Sequence, residues 1–179
     1  AAMYARHHDL TIMGQHDPES SDPCSASDMP DKVILTSGAP VLVVPYVGRF
    51  DTIGERVMVA WKPYREAVRA VNDSMPILEG AKSALILCAD PNKGARDTMP
   101  VPGVNVTARL ERHGIKVRHE TMNASGISVG DLVLSRAADE SIDLLICGAY
   151  GRPRLRELMM GGVTQHLLRH MTIPVLMSH

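Results

Sequence analysis

The sequence from residue 143 to residue 151 reads Asp-Leu-Leu-Ile-Cys-Gly-Ala-Tyr-Gly, and a basic loop leads from it to a second glycine pair at 161–162. Residues 144–147 are apolar without alternation, which is typical of a strand buried on both faces of a parallel sheet. Beyond the glycine pair, Val163, Leu167 and Leu168 recur at helical spacing. Unpaired amides and the helix dipole favour an anion at such a helix start. The stretch therefore predicts phosphate binding, although glycines after a strand can also be simple turn residues.

Strand and helix patterns alternate through the rest of the chain. Apolar runs predict strands at 57–61, 84–89 and 174–177, and residues 115–121 alternate as an outer strand would. Helical patterns fall between them, at 64–78, 105–113 and 129–140. This order favours an α/β fold with a doubly wound parallel sheet of five strands and helices on both faces.

An internal repeat with an offset of 134 residues explains the beginning of the chain. Asp9-Leu-Thr-Ile-Met-Gly14 aligns with Asp143-Leu-Leu-Ile-Cys-Gly148, and Pro40-Val-Leu-Val43 aligns with Pro174-Val-Leu-Met177. We therefore divide the chain into three parts. Residues 1–48 are the C-terminal half of a first repeat, residues 49–55 are a linker, and residues 56–179 are a complete domain.

The partial copy has lost the chemistry of the loop. Asp17 stands where the later copy has Gly151, and Ser27-Asp28 stands where it has Gly161-Gly162. Acidic side chains there would repel phosphate. We interpret Asp28 instead as the N-cap of a helix at 29–37 that Gly38 closes. The first copy is predicted to be structural.

The pattern Gly148-x2-Gly151-x9-Gly161, between a strand and a helix, resembles the nucleotide loop of the universal stress protein family. The resemblance covers nearly the whole chain. It implies a Rossmann-like fold and a tandem protein of which the first repeat is half present. It also implies binding of ATP or another adenine nucleotide, with Mg²⁺ possible beside it. In the family a hydroxyl residue follows the last glycine and helps to hold a phosphate. Gly162 keeps the amide here but lacks that hydroxyl.

The resemblance also implies which other residues surround the nucleotide. Lys62 stands where the family commonly has an Asp that positions the adenosine, so it either reaches a phosphate or is a solvated lysine. Trp61 beside it forms a crevice wall or stacks on the base. Ala89 occupies the place where the family reads adenine through its backbone. The candidate binding residues are therefore Trp61, Lys62, Ala89, Gly148, Gly151, Arg152, Gly161, Gly162 and Val163.

Family members pair the last strands of two domains about an approximate two-fold axis. By this resemblance, Pro40–Val44 is expected to pair antiparallel with Pro174–Met177 and to make one continuous sheet. Leu10–Met13 then becomes an apolar edge without a neighbour from this chain. Either a second subunit in a homo-oligomer or the missing half-domain of a longer protein is expected to cover that edge.

Composition excludes several classes of function. A net charge of −1 and a single Trp and Phe argue against nucleic acid as a partner. No apolar run is long enough for a membrane span. Three widely spaced cysteines indicate a reduced, cytoplasmic protein. His166 and His170 have the spacing of zinc ligands but no third ligand, so no metal site is predicted.

Three functions remain open. The first is a stress-response protein that binds an adenine nucleotide and acts by regulated assembly. The second is a regulatory or dimerisation module that binds no nucleotide, because Gly162 and Lys62 replace two polar contacts. The third is a slow ATPase, which needs a metal ligand and a positioned water. No catalytic constellation supports an enzyme.

Overall fold

The computed structural model describes residues 2–19, 28–90, 105–124, 126–151 and 162–179. Within them, seven strands form one mixed sheet in the order β1-β2-β7-β6-β3-β4-β5. The strands are β1 (Thr11–Gly14), β2 (Val41–Val44), β3 (Arg56–Ala60), β4 (Ser83–Asp90), β5 (Val117–Asn123), β6 (Leu144–Gly148) and β7 (Val175–Ser178). The helices are α1 (Ala2–Ala5), α2 (Met29–Ser37), α3 (Arg65–Asp73), α4 (Met75–Gly80), α5 (Val106–Arg112), α6 (Val129–Asp139) and α7 (Gly162–His170).

The predicted parallel sheet of five strands is confirmed. Neighbouring strands are parallel throughout the part of the sheet formed by β7, β6, β3, β4 and β5. Strand β2 joins them through an antiparallel pair with β7, in which Leu42 lies opposite Leu176. The expected antiparallel extension of the sheet is thus also confirmed, and β1 forms its outer edge.

Strand pairing repeats at the same offset as the sequence. Gly14 lies opposite Val44 in the first pair, and Gly148 lies opposite Ser178 in the second, 134 residues later in each case. Both pairs are parallel. The N-terminal segment (residues 2–44) therefore reproduces the β6–α7–β7 unit on the other side of the antiparallel pair.

Apolar residues cover both faces of the sheet. Along β6, Leu145 and Cys147 belong to a core that also contains residues of α2, α6 and α7. Leu144 and Ile146 belong to a second core with residues of α3, α4 and α5. This is why the strand is an unbroken apolar run and not an alternating one.

One local prediction was wrong, and another, the N-cap of α2, is confirmed in position but not in its side-chain hydrogen bond. The helix predicted over 64–78 is two helices, because the Ser74 hydroxyl donates to the carbonyl oxygens of Ala70 (2.7 Å) and Val71 (3.2 Å), and Pro76 follows at the start of α4. Asp28 precedes α2 but makes no side-chain cap. Its carboxylate pairs instead with the Lys32 ammonium at 2.5 Å.

Candidate functional site

The candidate site lies where β3 and β6 end side by side. Ala60 is opposite Cys147, so Trp61 and Gly148 follow at the same edge of the sheet. From there the chain leads from β3 to β4 on one side, whereas β6 neighbours β7 on the other. The loops that follow these two strands therefore adjoin. Ligands of open α/β sheets commonly bind at such a switch point, beyond the carboxyl ends of the strands.

Gly148 and Gly151 are packed against the start of α3. A Cβ on Gly148 would lie 2.5 Å from the backbone nitrogen of Ala67 and 2.5 Å from the carbonyl carbon of Glu66. A Cβ on Gly151 would lie 2.9 Å from a carboxylate oxygen of Glu66. The loop after β6 can approach the start of α3 this closely only because these two residues have no side chain.

The Tyr64 ring, which was not predicted to belong to the site, lies between Lys62 and this loop. The Lys62 ammonium is 5.1 Å from the centroid of the Tyr64 ring, within the range of a cation–π contact. The same ring would be 3.8 Å from a Cβ on Gly151. Trp61 is half-buried against the second core, and its amide donates to the Leu87 carbonyl oxygen at 2.8 Å.

Ala89 is half-buried in β4, where it lies opposite Met122. Because Ala60 is paired with Leu87, the end of β4 runs alongside the residues that follow β3. The structure therefore brings Trp61, Lys62, Ala89, Gly148 and Gly151 to one edge of the sheet.

Helix α7 begins at Gly162, as the sequence predicted for this region. Among the residues that the structure describes, none would lie within 4 Å of a Cβ on Gly162, and Val163 is also exposed. The first turn of a helix has amides without intrahelical acceptors. Thr164 in that turn accepts a hydrogen bond from the Tyr150 amide at 3.3 Å, so the helix start adjoins the loop after β6. Arg152 and Gly161, the other two candidates, lie outside the described residues.

A buried carboxylate gives the site an unexpected charge. The Glu66 side chain is 6% exposed and accepts a hydrogen bond from the Arg65 guanidinium at 2.5 Å. Burial disfavours its charged form, but the hydrogen bonds from Arg65 and from the backbone outweigh burial and hold the pKa of Glu66 below its ordinary value. Glu66 is therefore an anion beside Gly151. An acidic residue in the first turn of a helix is common, and for that reason its sequence position gave no sign of this role.

The described cysteines are not activated for nucleophilic chemistry. Burial raises the pKa of the Cys147 thiol to about 12 and also raises the pKa of Cys88. Both thiols therefore stay protonated at neutral pH. Among the described residues, no group of three His, Cys, Asp or Glu could hold a metal ion. The rings of His166 and His170 are stacked with their centroids 4.3 Å apart, and His166 Nε2 lies 2.8 Å from Asp131 Oδ1.

A cavity of about 530 Å³ lies at the opposite end of the strands. Its lining includes Arg56 and Ser83, the first residues of β3 and β4. It lies opposite the glycine loop, and none of the candidate binding residues is in its lining. Across the part of the chain that the structure describes, every helix is too short or too polar to cross a bilayer.

Comparison with known proteins identifies the family. The sequence profile of the universal stress protein family matches residues 62–179. This chain belongs to the universal stress protein family. The match covers the glycine loop and four strands of the parallel sheet, β4, β5, β6 and β7, and begins two residues after the end of β3.

Individual relatives agree with this assignment. Universal stress protein MJ0577 of Methanocaldococcus jannaschii is 33% identical over 72 residues, which are 40% of this chain and 43% of that protein. The chain thus matches less than half the length of this curated relative.

Solved structures share the fold. A universal stress protein from Archaeoglobus fulgidus superposes with a TM-score of 0.74 at 14% identity, over 99% of this chain and 63% of that one. A universal stress protein crystallised in complex with cAMP superposes with a TM-score of 0.52 at 18% identity, over 72% of this chain and 98% of that one.

Proposed function

We propose that this universal stress protein is a cytoplasmic stress-response protein that binds an adenine nucleotide between Trp61–Lys62 and the loop from Gly148 to Gly162. The observation that carries the proposal is the approach of Gly148 and Gly151 to the start of α3, at the switch point between β3 and β6. Because the amides of Ala149 and Tyr150 already donate to the Ser178 carbonyl oxygen (2.8 Å) and the Thr164 hydroxyl (3.3 Å), the amides proposed for a phosphate are those of the first turn of α7.

Two further features support the proposal. Lys62 and Gly151 both lie against the Tyr64 ring, so the Lys62 charge would favour a phosphate there, and any Mg²⁺ would be held by the nucleotide and not by Lys62. A relative with the same fold was crystallised with cAMP, an adenine nucleotide. In our proposal Ala89 contributes backbone groups to the base, and the amides of Gly162 and Val163 face the phosphates. Binding would then regulate assembly of the protein and not drive rapid turnover.

One observation favours a second candidate function. The Glu66 carboxylate lies close enough to Gly151 to repel a phosphate there. If that repulsion prevails, the fold serves as a regulatory or dimerisation module without a nucleotide. The two candidates differ in a single measurable property, which is affinity for adenine nucleotides.

Isothermal titration with ATP, AMP and cAMP, with and without Mg²⁺, tests the proposal. The most informative variants are at Gly162, where a Cβ would have no neighbour within 4 Å among the described residues. Gly162→Ser restores a hydroxyl at the helix start and should tighten binding about fivefold, as one added hydrogen bond would. Gly162→Asp suits the same helix start but repels phosphate, so it should weaken binding about tenfold while preserving stability.

The two variants form a matched pair because they share one position and one backbone. No detectable binding at millimolar ATP, AMP or cAMP by the wild-type protein and by Gly162→Ser would reject the proposal in favour of the regulatory module. Equal affinity of Gly162→Ser and Gly162→Asp would show that any nucleotide binds elsewhere.

A further inference from the structure

Several contacts hold Tyr150 in the loop after β6. Its φ is +56°, a left-handed conformation that costs a residue with a side chain about 1 kcal/mol or more. Its amide donates to the Thr164 hydroxyl of α7 at 3.3 Å, and its ring meets the His179 ring edge-on at 6.2 Å. A residue between Gly148 and Gly151 is thus held in an unfavourable conformation by its surroundings.

The phenol of Tyr150 contacts the N-terminal segment, on the other side of the antiparallel pair of β2 and β7. Its hydroxyl donates a hydrogen bond to the Asp31 carboxylate of α2, 119 residues away in the chain. Asp31 is 8% exposed. Burial and the Asp31 carboxylate both raise the pKa of Tyr150, so the hydroxyl stays protonated and remains a donor. A hydrogen bond to a buried carboxylate is among the stronger ones in proteins.

A second polar contact joins the N-terminal segment to the last turn of α7. The buried Gln15 side chain donates to the carbonyl oxygens of Leu168 (2.9 Å) and Arg169 (3.1 Å) in the last turn of that helix. Its own carbonyl oxygen accepts from the Tyr46 amide at 3.3 Å. These helix carbonyls have no intrahelical donor of their own.

We propose that the N-terminal segment is a positioning part of the nucleotide site of the following domain. Asp31 fixes Tyr150 and the loop from Gly148 to Gly151, and Gln15 fixes the end of α7, the helix whose start faces the phosphates. Neither residue touches the nucleotide. The proposal rests on the proposed function, because it assigns these two residues a role in that same site.

The test compares Asp31→Asn, Tyr150→Phe and the double variant with the wild-type protein. Asp31→Asn keeps the size of the side chain and an acceptor, but removes the charge. The double variant avoids leaving a buried carboxylate without its donor. Asp28→Asn is the matched control, because it removes a carboxylate near the same helix that pairs only with Lys32 among the described residues.

Nucleotide affinity is the first readout. Each single variant should raise the Kd about tenfold, the double variant should raise it no further, and Asp28→Asn should leave it within about twofold. Wild-type affinity in both single variants, with binding intact in the parent protein, would overturn the positioning role.

Two further readouts need no nucleotide. Amide hydrogen exchange at Tyr150 should become about tenfold faster in Asp31→Asn but not in Asp28→Asn. In tyrosine ring NMR, Asp31→Asn should lower the pH at which Tyr150 ionises, whereas the control Asp28→Asn should not. If the parent protein binds no nucleotide, the proposed function fails alone. If amide exchange and ionisation of Tyr150 were both unchanged in Asp31→Asn, the positioning of the loop by Asp31 would be overturned, whether or not the protein binds a nucleotide.

Discussion

Gly148 and Gly162 bracket the candidate loop, and the space around their α-carbons differs sharply. Gly148→Ala places a methyl group 2.5 Å from backbone atoms of α3, so it should lower the free energy of unfolding by about 2 kcal/mol or more. The methyl group of Gly162→Ala meets no atom of the described part of the chain within 4 Å, so this variant should change the free energy of unfolding by less than about 0.5 kcal/mol. Urea unfolding of both variants measures the difference. Equal stability of the two would show that the loop does not pack on α3 as described.

The charge of Glu66 gives a second prediction for a single residue. Glu66→Gln keeps the shape of the side chain and removes the anion beside Gly151, so it should raise ATP affinity about tenfold. Isothermal titration measures this effect. Glu79→Gln is the control, because Glu79 is an exposed carboxylate of α4 that pairs with His113. A loss of affinity in Glu66→Gln would instead indicate that Glu66 binds a cation that accompanies the nucleotide.

The same variant has a consequence for acid stability. The pKa of Glu66 is lower in the folded protein than in the unfolded chain, so its ionisation stabilises the fold above the unfolded pKa of about 4.3. That stabilisation is lost as the pH falls through the lowered folded-state pKa. Glu66→Gln should therefore show a weaker loss of stability between about pH 5 and pH 3 than the wild-type protein does.

Helix α6 illustrates how one local element begins. The Ser128 hydroxyl accepts from the Asp131 amide at 3.0 Å and donates to the Asp131 carboxylate at 2.6 Å. Ser128→Ala should lower the free energy of unfolding by about 1 kcal/mol, whereas Ser135→Ala on the exposed face of the same helix should leave it nearly unchanged. Thermal or urea unfolding measures both variants. If neither substitution changed the free energy of unfolding, the cap by Ser128 would be contradicted.

Elements with a strong period or an unbroken apolar run were predictable from the sequence. The core strands and α6 were predicted because burial on both faces and a helical period leave direct traces in the order of residues. The antiparallel pair was expected only from the resemblance to the family. The break at Ser74 was not, because a serine hydroxyl that bonds to a carbonyl three or four residues earlier leaves no periodic signal.

The candidate site was predictable only where glycine marks it. Gly148 and Gly151 were found because a close backbone approach requires them. Tyr64, Glu66 and Asp31 were missed because their roles depend on which elements the fold brings together, across distances in sequence of up to 119 residues. Pairwise side-chain contacts of this kind are invisible in one sequence without its structure.

For the molecule as a whole, strand β1 is the open edge of the sheet. Ile12 in this strand is 65% exposed and faces no strand beyond it in the part of the chain described. We expect a second copy or a further half-domain to cover this edge. Ile12→Lys should leave the folded state intact and abolish any self-association through β1, as measured by sedimentation velocity. Association of Ile12→Lys equal to that of the wild-type protein would place the contact elsewhere.

The antiparallel pair of β2 and β7 should make the two parts of the chain unfold together. Val43 is fully buried opposite Val175, so Val43→Ala should lower the free energy of unfolding by about 2 kcal/mol. Val47→Ala, at a site that is 64% exposed, is the matched control.

Trp61 is the single tryptophan and reports on the larger part, whereas hydrogen exchange in α2 reports on the N-terminal segment. Val43→Ala should shift both transitions to the same lower urea concentration, because both depend on the shared core. A shift confined to α2, with the fluorescence of Trp61 unchanged, would show that the segment docks without sharing the stability of the domain, and Asp31 could then not hold Tyr150 in place.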